Sequence, residues 1–194
     1  MKTKFHISFF GLLFTLAFTV ASIAQGPDAA ANIAAQKDAM KPFATNYGIW
    51  RGPAFTTLAD GRKIEITQTE RVGPFLDSSV MVLEGRGYDP KTGSVAFNAF
   101  GTISFDPAAK TYTLHSYAAG RVGDFPVTAT ADGYVWQIAA GPATIRYTIS
   151  IKDGVWHEVG DRIMAGKDPV RFFEMTLKRV GDTDWPAAGA VPMK

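Results

Sequence analysis

The stretch Ala143-Thr144-Ile145-Arg146-Tyr147-Thr148-Ile149-Ser150-Ile151 decides the fold. Ala143, Ile145, Tyr147, Ile149 and Ile151 put an apolar side chain at every second position, and Thr144, Arg146, Thr148 and Ser150 fill the places between. A period of two is that of a β-strand with one face in a core. The same alternation runs through Ser94 to Phe105, where Val95, Phe97, Ala99, Ile103 and Phe105 share a face. Turn residues bracket these runs: Asp89-Pro90-Lys91-Thr92-Gly93, Asp106-Pro107-Ala108-Ala109-Lys110, Asp132-Gly133, Gly141-Pro142, Asp153-Gly154 and Gly166-Lys167-Asp168-Pro169. Arg62 to Val72 reads as a strand ending at Gly73-Pro74, and Asp77 to Gly87 as the next. The whole gives about ten strands joined by hairpin-length loops.

A long antiparallel meander exposes two edges unless it closes. The expected class is therefore all-β, an up-and-down antiparallel β-barrel of about 8–10 strands. A two-sheet sandwich is the alternative. One helix is expected ahead of the strands, within Pro27 to Thr45: Asp28 is a candidate N-cap, Ala29, Ala30, Ala31, Ala34 and Ala35 favour helix, Ile33, Met40 and Phe43 form an apolar stripe, and Pro42 limits the end.

Met1 to Ala24 reads as a cleavable signal peptide. Lys2 and Lys4 make the basic start, Phe9 to Phe18 the apolar run, and Ser22-Ile23-Ala24 the small-residue exit, so cleavage is expected after Ala24. The expected organisation is a leader at 1–24, a helical segment at 25–46, a barrel at 47–181 and a loosely ordered Ala-, Gly- and Pro-rich tail at 182–194. The expected location is the periplasm or the medium. No second long apolar run follows, so no membrane span is expected in the mature chain.

The charge balance bears on partners. The formal net charge of +2 arises from 20 bases and 18 acids, and the leader holds two bases and no acid. The mature part is thus neutral, which speaks against nucleic-acid binding. There is no Cys, so thiol chemistry, Cys-ligated metal and disulfides are all excluded.

The order of local motifs resembles domain-of-unknown-function family 1579, a family of exported bacterial proteins. The residues that carry this are Gly48-Ile49-Trp50-Arg51-Gly52, Thr69-Glu70-Arg71-Val72, Glu84-Gly85-Arg86-Gly87-Tyr88, Ile103-Ser104-Phe105-Asp106 and Tyr112. Asp153 to Gly160 and Phe173 to Val180 complete the set. The resemblance spans roughly Met40 to Val180 and implies a calycin-like, lipocalin-related barrel with no established reaction. The Gly-x-Trp-x-Gly start is similar to that of lipocalins and of the haem-binding nitrobindins. In that reading Trp50 plugs the barrel floor, and Gly48 and Gly52 allow close backbone approach. Nitrobindins carry a proximal His near the C-terminal strands. No His follows His157 here, and no cofactor is expected.

Motifs for nucleophilic or phosphate chemistry are missing, since Gly93-Ser94 is followed by Val95-Ala96 and Gly85-Arg86-Gly87 ends a strand. Beyond the leader only His115 and His157 remain, too few to suggest zinc. Gln68 and Glu70 share strand parity with Ile64 and Ile66, which points Glu70 inward, with Arg86 or Arg146 as its candidate partner. The candidate lumen residues are Glu70, Phe100, His115, Tyr117, Trp136, Arg146, Tyr147, Trp156, His157 and Phe173, with Arg146 as an anchor for a carboxylate headgroup. The favoured function is non-catalytic binding of a small, mostly apolar ligand in the lumen. One alternative is an acid/base isomerase or hydrolase pairing Glu70, Glu84, Glu158 or Glu174 with His115 or His157. The other is a surface interaction module around a filled core. The oligomeric state is left open.

Overall fold

A computed structural model describes residues 27–186. The expected signal peptide and residues 187–194 lie outside the described residues. The helix α1 (Pro27–Met40) is followed by a short 3-10 turn (Lys41–Asn46) and ten strands. These are β1 (Gly48–Thr57), β2 (Lys63–Phe75), β3 (Val80–Tyr88), β4 (Val95–Asp106), β5 (Thr111–Ala118), β6 (Arg121–Ala129), β7 (Gly133–Ala140), β8 (Ala143–Lys152), β9 (Val155–Met164) and β10 (Val170–Gly181). Each strand pairs antiparallel with its sequence neighbours, and β1 also pairs with β10. The sheet therefore closes and leaves no edge, as an up-and-down barrel requires. The sandwich alternative falls with that closure.

Alternation holds through most of the wall, with register irregularities between Ile49 and Trp50 on β1, Gly87 and Tyr88 on β3, and Arg171 and Phe173 on β10. Tyr147, Ile149 and Ile151 on β8 face the core, as do Ile66 and Val72 on β2. Glycines serve two close approaches. A Cβ on Gly52 would lie 2.1 Å from the carbonyl oxygen of Thr176, and one on Gly133 would lie 2.1 Å from that of Ile149. Neither contact is possible for any other residue.

The two ends of the barrel differ. The end where β1 begins is sealed by the helical segment. Met40 and Phe43 are each 1% exposed, and the Phe43 ring lies 5.2 Å from Tyr112 and 5.6 Å from Tyr134. Burial of two such side chains contributes roughly 1.5–3 kcal/mol each. Polar contacts fix the plug in place. Tyr112 donates to the Ala39 carbonyl at 2.7 Å, the Trp50 indole N–H donates to the Asn46 carbonyl at 2.8 Å, and Lys37 pairs with Asp77. Above the plug, Trp50 and Trp156 meet edge to face with centroids 5.8 Å apart and form a floor. The opposite end, carrying the β1–β2, β3–β4, β5–β6, β7–β8 and β9–β10 turns, is the mouth.

Three local expectations are corrected. Asp28 lies inside the first turn of α1, not ahead of it. Strand β2 does not stop at Gly73-Pro74 but continues to Phe75, because Pro74 stays in register with Met81. The stretch after β10 is not loose at its start. Trp185 packs edge-on against Phe75 at 6.0 Å and under the Arg71 guanidinium at 5.5 Å, and Asp184 pairs with Arg71 at 3.5 Å. Gly73 makes room for it, since a Cβ there would meet the Trp185 side chain at 2.7 Å.

Candidate functional site

Strand parity sorts the ten candidate residues into two groups. Glu70, Trp136, Tyr147, Trp156 and Phe173 face the interior, where all but Glu70 belong to the core or pack against it. Phe100, His115, Tyr117, Arg146 and His157 face outward, which corrects their expected place in the lumen. Each sits one position out of step with an inward neighbour: Gly101, Leu114, Ser116, Tyr147 and Trp156. Arg146 is exposed and cannot anchor a headgroup inside. His115 instead meets Asp124 and the Tyr117 hydroxyl, and His157 meets Glu174 at 3.0 Å, all on the outer surface. Neither histidine reaches Glu70 or Glu158, so no Glu–His pair forms in the interior; the one pairing of the expected kind, His157 with Glu174, lies on the outer face. Arg86 is also outside, bound to Glu84 at 2.6 Å.

One interior wall is aromatic. Trp136 on β7 stacks on Tyr147 of β8, with centroids 4.3 Å apart and planes 9° from parallel. Phe125 flanks Trp136 at 5.5 Å, and Phe173 flanks Tyr147 at 5.9 Å. Between β8 and β10 this contact crosses Gly160. A Cβ there would lie 2.9 Å from the Phe173 Cβ and 3.0 Å from the Tyr147 ring. Phe125, Trp136, Tyr147 and Phe173 all remain partly accessible, because they stand on the mouth side of the tryptophan floor.

Across from this wall lies a polar cluster. Glu70 is 8% exposed and Gln68 4%. The Gln68 amide donates to Glu70 Oε1 at 2.7 Å, and the other carboxyl oxygen, Oε2, has no partner. Both side chains lie over glycines of β3. A Cβ on Gly85 would come within 2.6 Å of Glu70 Oε1, and one on Gly87 within 3.1 Å of Gln68 Oε1. A further carboxyl, Glu158, stands on β9 between the strands of Tyr147 and Phe173 and accepts from the Trp156 indole N–H at 3.2 Å.

The electrostatics follow from the surroundings. Burial pushes Glu70 up to about 7, against the opposing pull of the Gln68 hydrogen bond, with the Glu84 charge adding a little. Burial pushes Glu158 up to about 8, and the charge on Glu70 adds to it, while the Trp156 N–H works the other way. Burial is the main cause for both carboxyls, and the charge on one disfavours that on the other. Burial also raises the phenols of Tyr134 and Tyr147, the latter to about 12; the Glu158 charge contributes to both, and the Glu70 charge to Tyr134. Near neutral pH the pair retains protons, so it can both donate and accept hydrogen bonds.

Sequence reasoning missed Tyr134, and it used Gln68 only as a parity marker. It named Glu158 as an acid/base candidate but left it out of the lumen. The signal was present: Trp156 and Glu158 share parity on β9.

Two depressions mark the outer wall. One of about 230 Å³ is lined by Ile49, Thr69, Glu70, Arg71, Glu84, Arg86 and Tyr88. The other, of about 530 Å³, lies beside the exposed side chains of Phe100, Tyr117 and Val122.

The chain shares its fold with two solved barrels. The structure of Rv2717c from M. tuberculosis superposes with a TM-score of 0.55 at 10% identity, over 73% of this chain and 96% of that one. The S-type phycobiliprotein lyase CpeS from Guillardia theta superposes with a TM-score of 0.50 at 12% identity, over 73% of this chain and 92% of that one. No family model matches the chain, and no curated protein matches it in sequence. At these identities the likeness concerns the fold alone.

Proposed function

We propose that the protein is an exported, non-catalytic binding barrel that takes a small, mostly apolar molecule through its mouth and seats it against the Phe125–Trp136–Tyr147–Phe173 wall. The observation that carries this reading is Glu70 Oε2, a buried carboxyl oxygen with no partner, on the inner face of the barrel. Leaving such a group unsatisfied costs about 1–3 kcal/mol, and a bound polar group would relieve that cost. An apolar lining with a few convergent polar groups is the usual make-up of a small-molecule site. The resemblance to domain-of-unknown-function family 1579 supports the same architecture, and the leader-like start supports export. The outward histidines remove the most direct route to acid/base catalysis.

Native mass spectrometry of the protein purified from the periplasm or medium of its own host tests this reading. A discrete mass increment that disappears on denaturation is expected. A bare chain mass, together with a crystal structure whose interior is filled by its own side chains, would overturn it.

A further inference from the structure

The lumen reading leaves the chemistry of the ligand's polar end open, and the interior polar groups bear on it directly. Gln68 commits its amide nitrogen to Glu70 Oε1 at 2.7 Å. Its own carbonyl oxygen then remains available as an acceptor. Glu70 Oε2 is a second acceptor, without a partner on a side chain that is 8% exposed. Glu158 has one oxygen on the Trp156 N–H at 3.2 Å, and the other oxygen is a third. Among the described residues no Lys, Arg or His pairs with either carboxyl. Every interior candidate for that role turned out to lie on the outer face: Arg86 on Glu84, His157 on Glu174, and His115 on Asp124. Arg146 is exposed there as well.

An anionic headgroup would meet two carboxyls and no cation, so a fatty-acid-like ligand is disfavoured by charge. A protonated amine has the opposite fit. It carries three N–H donors for three acceptors, and its charge lets both carboxyls ionise together. The Trp136–Tyr147 stack, with centroids 4.3 Å apart, offers apolar surface to the body of such a ligand.

We propose that the barrel selects a cationic amphiphile, an amine on an apolar body, whose ammonium group is held by Glu70, Glu158 and the Gln68 carbonyl. The proposal rests on the lumen reading above and goes beyond it by fixing the sign of the headgroup, the reverse of the carboxylate first expected from Arg146.

The test is a matched series with one tail and three heads: octylamine, octanol and octanoate. Binding to the full mature chain is followed at pH 7.5 by calorimetry and by the change in tryptophan fluorescence. Octylamine is expected to bind at least tenfold more tightly than octanol, with octanoate weakest. In Glu70→Gln, Glu158→Gln and the double variant, the octylamine advantage is expected to shrink toward the octanol level. Octanol binding should change much less than octylamine binding, and an unaltered far-UV circular dichroism spectrum with a cooperative melt shows that the barrel is intact. Octanoate binding as tightly as octylamine would overturn the proposal, and so would an octylamine affinity indifferent to both substitutions. Those results leave the lumen reading standing. If none of the three binds, the lumen reading fails, and this proposal fails with it.

Discussion

Gln68 and Glu70 stand two residues apart on β2, and the amide of the first donates to the carboxyl of the second at 2.7 Å inside the barrel. The bond joins side chains on one face of one strand, so it depends on β2 alternating without a bulge between them. The unbroken pairing of Gln68 with Gly87 and of Glu70 with Gly85 shows that it does. Gln68 offers one donor to a group with two oxygens, and Oε2 remains without a partner.

The first prediction concerns pH. Glu70 is raised to about 7 and Glu158 to about 8 in the folded protein, whereas an unfolded Glu titrates at about 4.3. A carboxyl whose folded value is raised gives stability that is fully present below the unfolded value. That stability is lost as pH rises through the folded one. The unliganded protein is therefore expected to lose stability from about pH 4.5 to about pH 8, by about 3 kcal/mol for Glu70 alone. Glu70→Gln should flatten that fall, because a neutral amide cannot ionise. Thermal melts between pH 5 and 9 check this. A wild-type stability independent of pH in that window would contradict the buried pair.

Two glycines separate packing from site geometry. Gly133→Ala drives a Cβ to within 2.1 Å of the Ile149 carbonyl oxygen, a backbone atom of the neighbouring strand. The strands must part, and a loss of about 1–3 kcal/mol or more is expected. Gly85→Ala brings its Cβ 2.6 Å from Glu70 Oε1, the tip of a flexible side chain. The carboxyl can swing away, so the stability change should be much smaller than for Gly133→Ala. The Gln68–Glu70 bond would be broken all the same, and the pH profile described above would shift. Urea titration of both variants at two pH values separates the effects.

These glycines show what was legible in the sequence. The barrel was readable because the period of two survives in long strands such as β8, and because Asp-Gly and Gly-Pro turns mark their ends. The inward turn of Glu70 was readable from the same rule. Phe100, His115 and Tyr117 were chosen for their chemistry, without applying parity to their strands. The same rule puts Phe100 out of step with Ala99, Ile103 and Phe105 on β4. The importance of Gly85, Gly87 and Gly160 was not legible, because each is explained only by side chains from neighbouring strands. The influence of the Glu70 charge on Glu158 was hidden for a related reason. β2 and β9 are separated by β1 and β10, and only closure brings their inner faces together.

The histidines give a third prediction. His115 and His157 are both on the outer face, with side chains 41% and 43% exposed. Exposed ion pairs of this kind contribute about 0–1 kcal/mol. His115→Ala and His157→Ala are therefore each expected to change stability by less than about 1 kcal/mol and to leave octylamine binding within twofold of wild type. Calorimetry on the double variant checks both. A tenfold loss of binding would mean that a histidine acts on the lumen after all.

The final prediction tests the plug. The Trp50 indole N–H is the donor to the Asn46 carbonyl at 2.8 Å, and both residues are buried, Asn46 at 0% and Trp50 at 1% exposure. Trp50→Phe keeps an aromatic ring but leaves that carbonyl without its donor, at a cost of about 1–3 kcal/mol. It also removes ring atoms from the edge-to-face contact with Trp156, and the gap adds to the loss in proportion to its volume. A total loss of about 2–4 kcal/mol is expected, and for a domain of this size each kcal/mol lowers the melting temperature by about 2–4 °C. Hydrogen exchange adds the local readout. If the bond anchors the helical segment, backbone amides of residues 41–46 should lose protection in Trp50→Phe before those of β8 do. Protection lost equally in both places would show that the plug and the barrel unfold as one unit and that this bond does not hold the plug by itself.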